Sequence, residues 1–345
     1  MRRGSLRGIV AVASVSLLAT VSACSGGGDG DDSATTLTVY TDQHPEFIEA
    51  LTDAYSAETG TDFQIQEDAT VGQVKAEGDA SPADVFLSED PGPAAQLGKA
   101  GLLSKLDDNT LDQIQPGLSS PKGLWAAYAA RTRVLYYNPD LVDEDELPES
   151  LLDITDEEYD GEFAYAPSGA FVATTQYLIS TIGKDKTKDF LESLKDNGVN
   201  EHKNGNVRDT VEAGKHPMGL SNHYYWWIKA NETGGPDNMT SEIYHFPEED
   251  AGNLILSSGA GILESSDEQS AAADFVQWLT AKDGGQEVIA NAGVDESAAQ
   301  YPVARGSSSE IVGSLDDIAS PEYDMSIFAD QEEAEELLKN IGLAS

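Results

Sequence analysis

From Thr36 onward, short β-branched or aromatic runs alternate with longer stretches of helical period, and that alternation commits the chain to a layered α/β architecture. Thr36–Tyr40 reads as the first strand. Pro45 opens a helix that sets Phe47, Ile48, Leu51, Ala54 and Tyr55 on one face, and Gly60 closes it. Phe63–Gln66 is predicted as the second strand and Ala83–Ser88 as the third, followed by a Pro/Gly-containing turn and a helix ending at Gly101. Arg133–Tyr137 and Glu162–Ala166 read as strands stopped by Asn138-Pro139 and by Pro167-Ser168-Gly169. Mid-strand, Tyr136 and Tyr137 are expected to split, one to the core and one to the surface. Asn253–Leu263 reads as a late strand whose small residues allow close backbone approach, then a helix through Phe275, Val276, Trp278 and Leu279.

The amino terminus is an export signal: Arg2, Arg3 and Arg7 precede an apolar run from Gly8 to about Thr20 and the small-residue stretch Val21-Ser22-Ala23-Cys24. The run is shorter than the roughly 20 residues a membrane span needs. Val21–Cys24 resembles the lipobox of bacterial lipoproteins, in which the cysteine becomes the lipidated first residue, and Cys24 is the single cysteine of the chain. Residues 1–23 are therefore expected to be cleaved, and the small, acidic segment 24–36 to serve as a flexible tether. No later segment is apolar enough to span a bilayer, so the membrane is met only through the lipid. The remaining roughly 310 residues suggest two domains at about 100–200 residues each.

Acidic residues outnumber basic ones 62 to 20. Such a surface repels nucleic acid and anionic lipid, so neither is an expected partner. Most of these carboxylates read as a solvating face, and charge alone reveals no metal site. The chain carries no His-Glu-x-x-His, Gly-x-Ser-x-Gly or Gly-x-x-x-x-Gly-Lys signature, and no enzymatic activity is expected.

In open α/β sheets ligands bind where strands end and helices begin. Three such loops carry unusual groups. In Tyr40–His44, His44 stands just before Pro45, as a capping residue or a ligand; Ser88-Glu89-Asp90 ends the third strand, its acids solvated, capping or ligating. Asn222–Trp227 sets four aromatic rings in a row, costly to expose. Tyr224 and Tyr225 reach a common ligand only if they lie in a turn or at a helix start, because neighbours in a strand face opposite ways. Phenol, with a pKa near ~10, must lose its proton to coordinate. A small, highly charged, oxygen-preferring ion such as ferric iron favours that loss.

The segments Val39–His44, Ser81–Glu89, Arg131–Val134, Pro167–Phe171, Asn222–Tyr225 and Tyr301-Pro302 together resemble the ferric-ion-binding solute-binding proteins of ABC importers, the bacterial transferrins, from Leu37 to about Val303. The resemblance implies iron ligands at His44, Glu89, Tyr224 and Tyr225, and a synergistic anion (phosphate, carbonate or an organic acid) on Ser168, Gly169, Ala170, Asn204 and Asn222. A Ser-Gly-Ala turn opening a helix suits an anion, and equally suits a plain cap. Arg131 is expected either to face that anion or to form a structural ion pair. Asp90 departs from the pattern, which has an amide there, and an extra carboxylate would repel phosphate.

The implied architecture is a type II periplasmic-binding-protein fold, two α/β lobes joined by two crossing strands near Arg131–Tyr137 and Asn253–Gly259. Lobe 1 is expected over 37–131 and 256–305, and lobe 2 over 132–255 and 306–345. The implied partner is the permease of an ABC importer, served by a monomeric shuttle held outside the cytoplasm by its lipid. Two other readings stay open: a same-fold binder of a polyamine, thiamine or a phosphonate, and a secreted metalloenzyme.

Overall fold

The computed structural model describes residues 35–344. The lipidation site expected at Cys24, with the signal and most of the tether, lies outside the described residues. β1 (Thr36–Thr41) runs parallel to β2 (Asp62–Gln66) on one side and to β3 (Val85–Ser88) on the other. α1 (Pro45–Thr59) links the first pair: Pro45 supplies the helical φ at its first turn, and Gly60 closes it at φ 77° while its N–H reaches Ser56 O. α2 (Val71–Glu77) begins with the Thr70 hydroxyl accepting the Gln73 N–H, and α3 (Pro91–Lys99) follows β3 after two residues. The short α4 (Asp108–Asp112) leads to β4 (Ala126–Tyr137), buried along its whole length.

β4 belongs to two sheets. Its first half pairs antiparallel with β9 (Ile255–Ile262), from Ala126 opposite Ala260 to Thr132 opposite Ile255. Its second half pairs with β7 (Met218–Asn222), from Arg133 opposite Asn222 to Tyr137 opposite Met218, and with β8 (Glu242–Tyr244). Between these partners the chain builds β5 (Phe163–Tyr165), α5 (Ala170–Ile182), α6 (Lys184–Asn197), β6 (Val199–Asn200), α7 (Asn204–Glu212) and, directly after β7, α8 (His223–Thr233). After β9 come α9 (Gln269–Thr280), α10 (Gly285–Asn291), α11 (Val294–Ser297) and α12 (Glu332–Asn340). The strand order is β2-β1-β3-β9-β4-β7-β5-β6, with β8 beside β4.

The strand expected at Arg133 thus begins at Ala126, in an alanine-rich run without β-branched residues that is held by its neighbours and not by propensity. The expected split of Tyr136 and Tyr137 is also corrected: they are 0% and 5% exposed. They do face opposite ways, but both faces are covered, Tyr136 packing with Val134, Val211 and Trp226, and Tyr137 with Leu135, Phe163 and Leu220.

Two large apolar cores result. One gathers Leu37, Val39, Phe47, Phe86, Trp125 and Phe275; the other Leu135, Phe163, Phe190, Leu194, Leu220 and Leu338. Past residue 306 the chain serves both, Leu315, Met325 and Phe328 entering the first and Leu337, Leu338 and Leu343 the second. α3 lies so close to β9 that a Cβ at Gly259 would stand 2.7 Å from the Ala94 Cβ and 3.3 Å from Trp125. Gly259→Ala is therefore expected to lower stability by about 1–3 kcal/mol, read as a reduced denaturant midpoint; an unchanged midpoint would contradict this packing.

Candidate functional site

β1 and β3 end side by side, Thr41 opposite Leu87, so the loops after them leave one edge of the sheet together. Asp42 Oδ1 accepts the Glu89 N–H at 2.8 Å. Burial pushes the Asp42 carboxyl up to about 6; the Glu89 N–H pulls it down, while the Asp90 and Glu89 charges raise it further. The Glu89 carbonyl accepts from Arg131 Nη1 at 2.5 Å and from the Ser258 hydroxyl at 3.0 Å, leaving its carboxylate partly open to solvent. Gln43 is buried beside it, donating to Ser258 Oγ at 3.1 Å and accepting the His44 N–H at 3.0 Å. His44 itself is exposed at the start of α1, and its side chain makes no capping bond.

Arg131 and Arg133 stand two apart in β4, on the same face. Of the two roles expected for Arg131, the structure shows the ion pair: Nη2 meets Asp90 Oδ1. Burial opposes its charge, but Asp90, Glu89 and the phenols of Tyr224 and Tyr225 outweigh that and hold it above its ordinary value. For Arg133 burial wins, and its guanidinium is pushed down to about 10. Its Nη1 donates to Asn222 Oδ1 at 2.6 Å.

β7 runs straight into α8, so Tyr224 and Tyr225 both fall in the first helical turn, with ring centroids 4.3 Å apart. The geometry that lets neighbouring phenols serve one ligand is thus met. Asn222, the residue before the helix, gives its side chain to Arg133 and not to a cap. Tyr224 is buried and Tyr225 half-buried. Burial holds the Tyr224 phenol well above its usual range; Arg131 pulls it down, and Tyr225 and Glu89 raise it. Glu89, Arg131, Tyr224 and Tyr225 thus feel one another's charge, although they come from three separate places in the sequence. Among the described residues no trio of His, Cys, Asp or Glu is placed to hold a metal ion.

One neighbour carried no signal in the sequence. His223 is fully buried, its Nδ1 accepting the Thr132 N–H at 3.1 Å and its Nε2 donating to Ala299 O at 2.7 Å. Burial pushes it down to about 3, so it is neutral and fixes α8 against β4 where that strand changes sheets.

The turn Ser168-Gly169-Ala170 opens α5, with Gly169 at φ 58° and exposed, Ala170 buried, and the Ser168 hydroxyl 3.5 Å from His202 O. Gly169 lines a cavity of about 570 Å³ together with Asp90, Gly92 and Gln96. Asn204, buried at the start of α7, accepts from the Ser221 hydroxyl at 3.4 Å, which places it next to Asn222.

Residues 41–286 match the family profile described as bacterial extracellular solute-binding protein. The Fe(3+)-binding periplasmic protein of Serratia marcescens is 33% identical over 315 residues, 90% of this chain and 91% of that one. The major ferric iron-binding protein of Neisseria meningitidis serogroup A is 32% identical over 318 residues, 89% and 93% of the two chains. Among solved structures, iron-bound HitA from Pseudomonas aeruginosa superposes with a TM-score of 0.78 at 32% identity, covering 89% of this chain and 99% of that one. The architecture is the type II periplasmic-binding-protein fold.

Proposed function

The chain belongs to the family of bacterial extracellular solute-binding proteins, and we propose that its solute is ferric iron, bound by Glu89, Tyr224 and Tyr225 with His44 as a fourth donor and delivered to the permease of an ABC importer. The observation that carries this reading is the pair of adjacent phenols in the first turn of α8, their ring centroids 4.3 Å apart. Phenol oxygens are poor donors for most biological cations, whereas two phenolates and a carboxylate match the triple charge of a ferric ion. The relatives named for ferric iron support the same choice.

Glu89 follows a strand of one sheet and the tyrosines follow a strand of the other. An ion gripped from both sides stabilises the closed arrangement by its differential affinity for it, and the importer reads that closed shape. His44, exposed at the start of α1, is the fourth donor in this reading. The protein works outside the cytoplasm as a monomer tethered through Cys24.

Titration of residues 34–345, a compact unit, with chelated ferric iron tests the reading. A visible tyrosinate-to-iron band saturating near one equivalent is expected. Tight binding of a polyamine, thiamine or a phosphonate, with no band on adding iron, would sink it.

A further inference from the structure

One edge of β4 is shared by segments from different sheets. Ala130 exchanges both backbone hydrogen bonds with Tyr301, which packs in the first core, and from Arg133 onward the same edge pairs with β7. Thr132 falls between the two, and a buried N–H at such a gap must find an acceptor elsewhere. His223 supplies it, its Nδ1 accepting the Thr132 N–H at 3.1 Å. The ring proton therefore sits on Nε2, which donates to Ala299 O at 2.7 Å. One imidazole, on the first residue of α8, thus joins the end of β7 to the segment that carries Tyr301. The next residue is Tyr224.

The receiving segment is held in an unusual shape. Ala298 and Ala299 lie at φ 46° and 52°, in the left-handed region that residues with a Cβ rarely adopt. Such a conformation persists where its surroundings over-determine it, and here the Ala299 carbonyl is aimed at His223. Asp295 of the same segment accepts from Asn231 Nδ2 of α8 at 3.0 Å, a second and exposed bond between the two. Glu89 follows a strand of the first sheet and the phenols a strand of the second, so their separation depends on how α8 seats against the first core. We infer that His223 is a positioning residue for the ion: it seats the first turn of α8 on residues 299–301, so that Tyr224 and Tyr225 stand at a fixed reach from Glu89 before iron arrives. Order present before binding does not have to be created by it, and affinity rises accordingly. This inference rests on the ferric reading above.

Three substitutions in residues 34–345 separate the two bonds. His223→Gln puts an amide nitrogen about where Nε2 stands and keeps a donor for Ala299 O; His223→Asn puts an amide oxygen about where Nδ1 stands and keeps an acceptor for Thr132; His223→Phe keeps neither. All three are expected to lower the denaturant midpoint. Iron affinity, measured by citrate competition where each variant is folded, is expected to stay within about threefold of wild type in His223→Gln, with an unshifted visible band. His223→Asn and His223→Phe are expected to bind at least about tenfold more weakly, with a shifted band. A histidine that serves stability alone would lower the midpoints and leave the affinity and band of the folded protein unchanged. That outcome overturns the inference, as does a loss in His223→Gln equal to that in His223→Asn, and both leave the ferric reading intact. Wild type that gives no band with iron overturns the ferric reading and the inference with it. Should the variants not fold, wild type decides: the Nε2 proton of His223, followed by NMR in protein carrying nitrogen-15 histidine, is expected as a slowly exchanging signal in the empty protein. Its appearance only after loading with gallium(III), a diamagnetic stand-in for the ferric ion, or its absence throughout, overturns the inference.

Discussion

Tyr224→Phe and Tyr225→Phe are each expected to weaken ferric binding by about 10²–10⁴-fold, because removing one partner of a buried charge pair costs about 3–5 kcal/mol. The ring is kept in each variant, so the tilted ring contact of the pair, 4.3 Å between centroids, survives. Thermal stability should therefore stay close to wild type, and the loss is assigned to the missing oxygen. One phenolate remains in each single variant, which predicts a charge-transfer band that is weaker and shifted, and the double variant should show none. Tyr136→Phe is the contrast. Its hydroxyl bridges the Asn222 carbonyl and the Trp226 N–H behind the helix start, so its removal should lower stability and leave the band in place. Equal iron affinity in wild type and both single variants, measured by competition with citrate, would remove the tyrosines from the site.

Iron loading should also be strongly coupled to protons. Burial keeps the Tyr224 phenol above its usual range, so it carries its proton at neutral pH and must give it up to bind the ion. The sign follows directly: the empty protein holds more protons than the loaded one, so affinity falls as pH falls. One proton from each of two phenols gives about a hundredfold loss per pH unit. In weakly buffered solution, loading should release near two protons from the phenols once the chelator's own protons are subtracted, and Tyr224→Phe should release one fewer. A pH-independent affinity would mean the phenols do not ionise on loading. Acidification, or entry into a site that reprotonates the pair, is accordingly a release route that needs no further machinery.

Much of this was legible in the sequence, for reasons that differ by element. α1 announces itself because Pro45 and Gly60 bracket it with local backbone chemistry. For Tyr224 and Tyr225 the sequence stated a condition, that they can share a ligand only in a turn or at a helix start, and β7 ends and α8 begins so that the condition is met. The first half of β4 was not legible, because Ala126–Ala130 becomes strand through pairing with β9, far away in sequence. The burial of both Tyr136 and Tyr137 was missed for a related reason: alternation tells which faces they take, not whether both faces are covered. Within the site, Asp90 read as an anomaly until Arg131, 41 residues away, was seen to clasp it. His223 is used as a backbone clamp across 91 residues, and nothing local to it signals that use.

The position of β9 also governs when this chain can finish folding. It inserts between β3 and β4, and Gly259 meets Ser88 at a sequence separation of 171. Until residues 255–262 are available, β3 and β4 each keep an open edge and the first core has no central strand. Contacts of such sequence separation make folding slow, since the loop must close before any of them forms. A chain threaded amino end first through a narrow channel would thus stay slack over most of its length and lock only near the end, when the last central strand arrives.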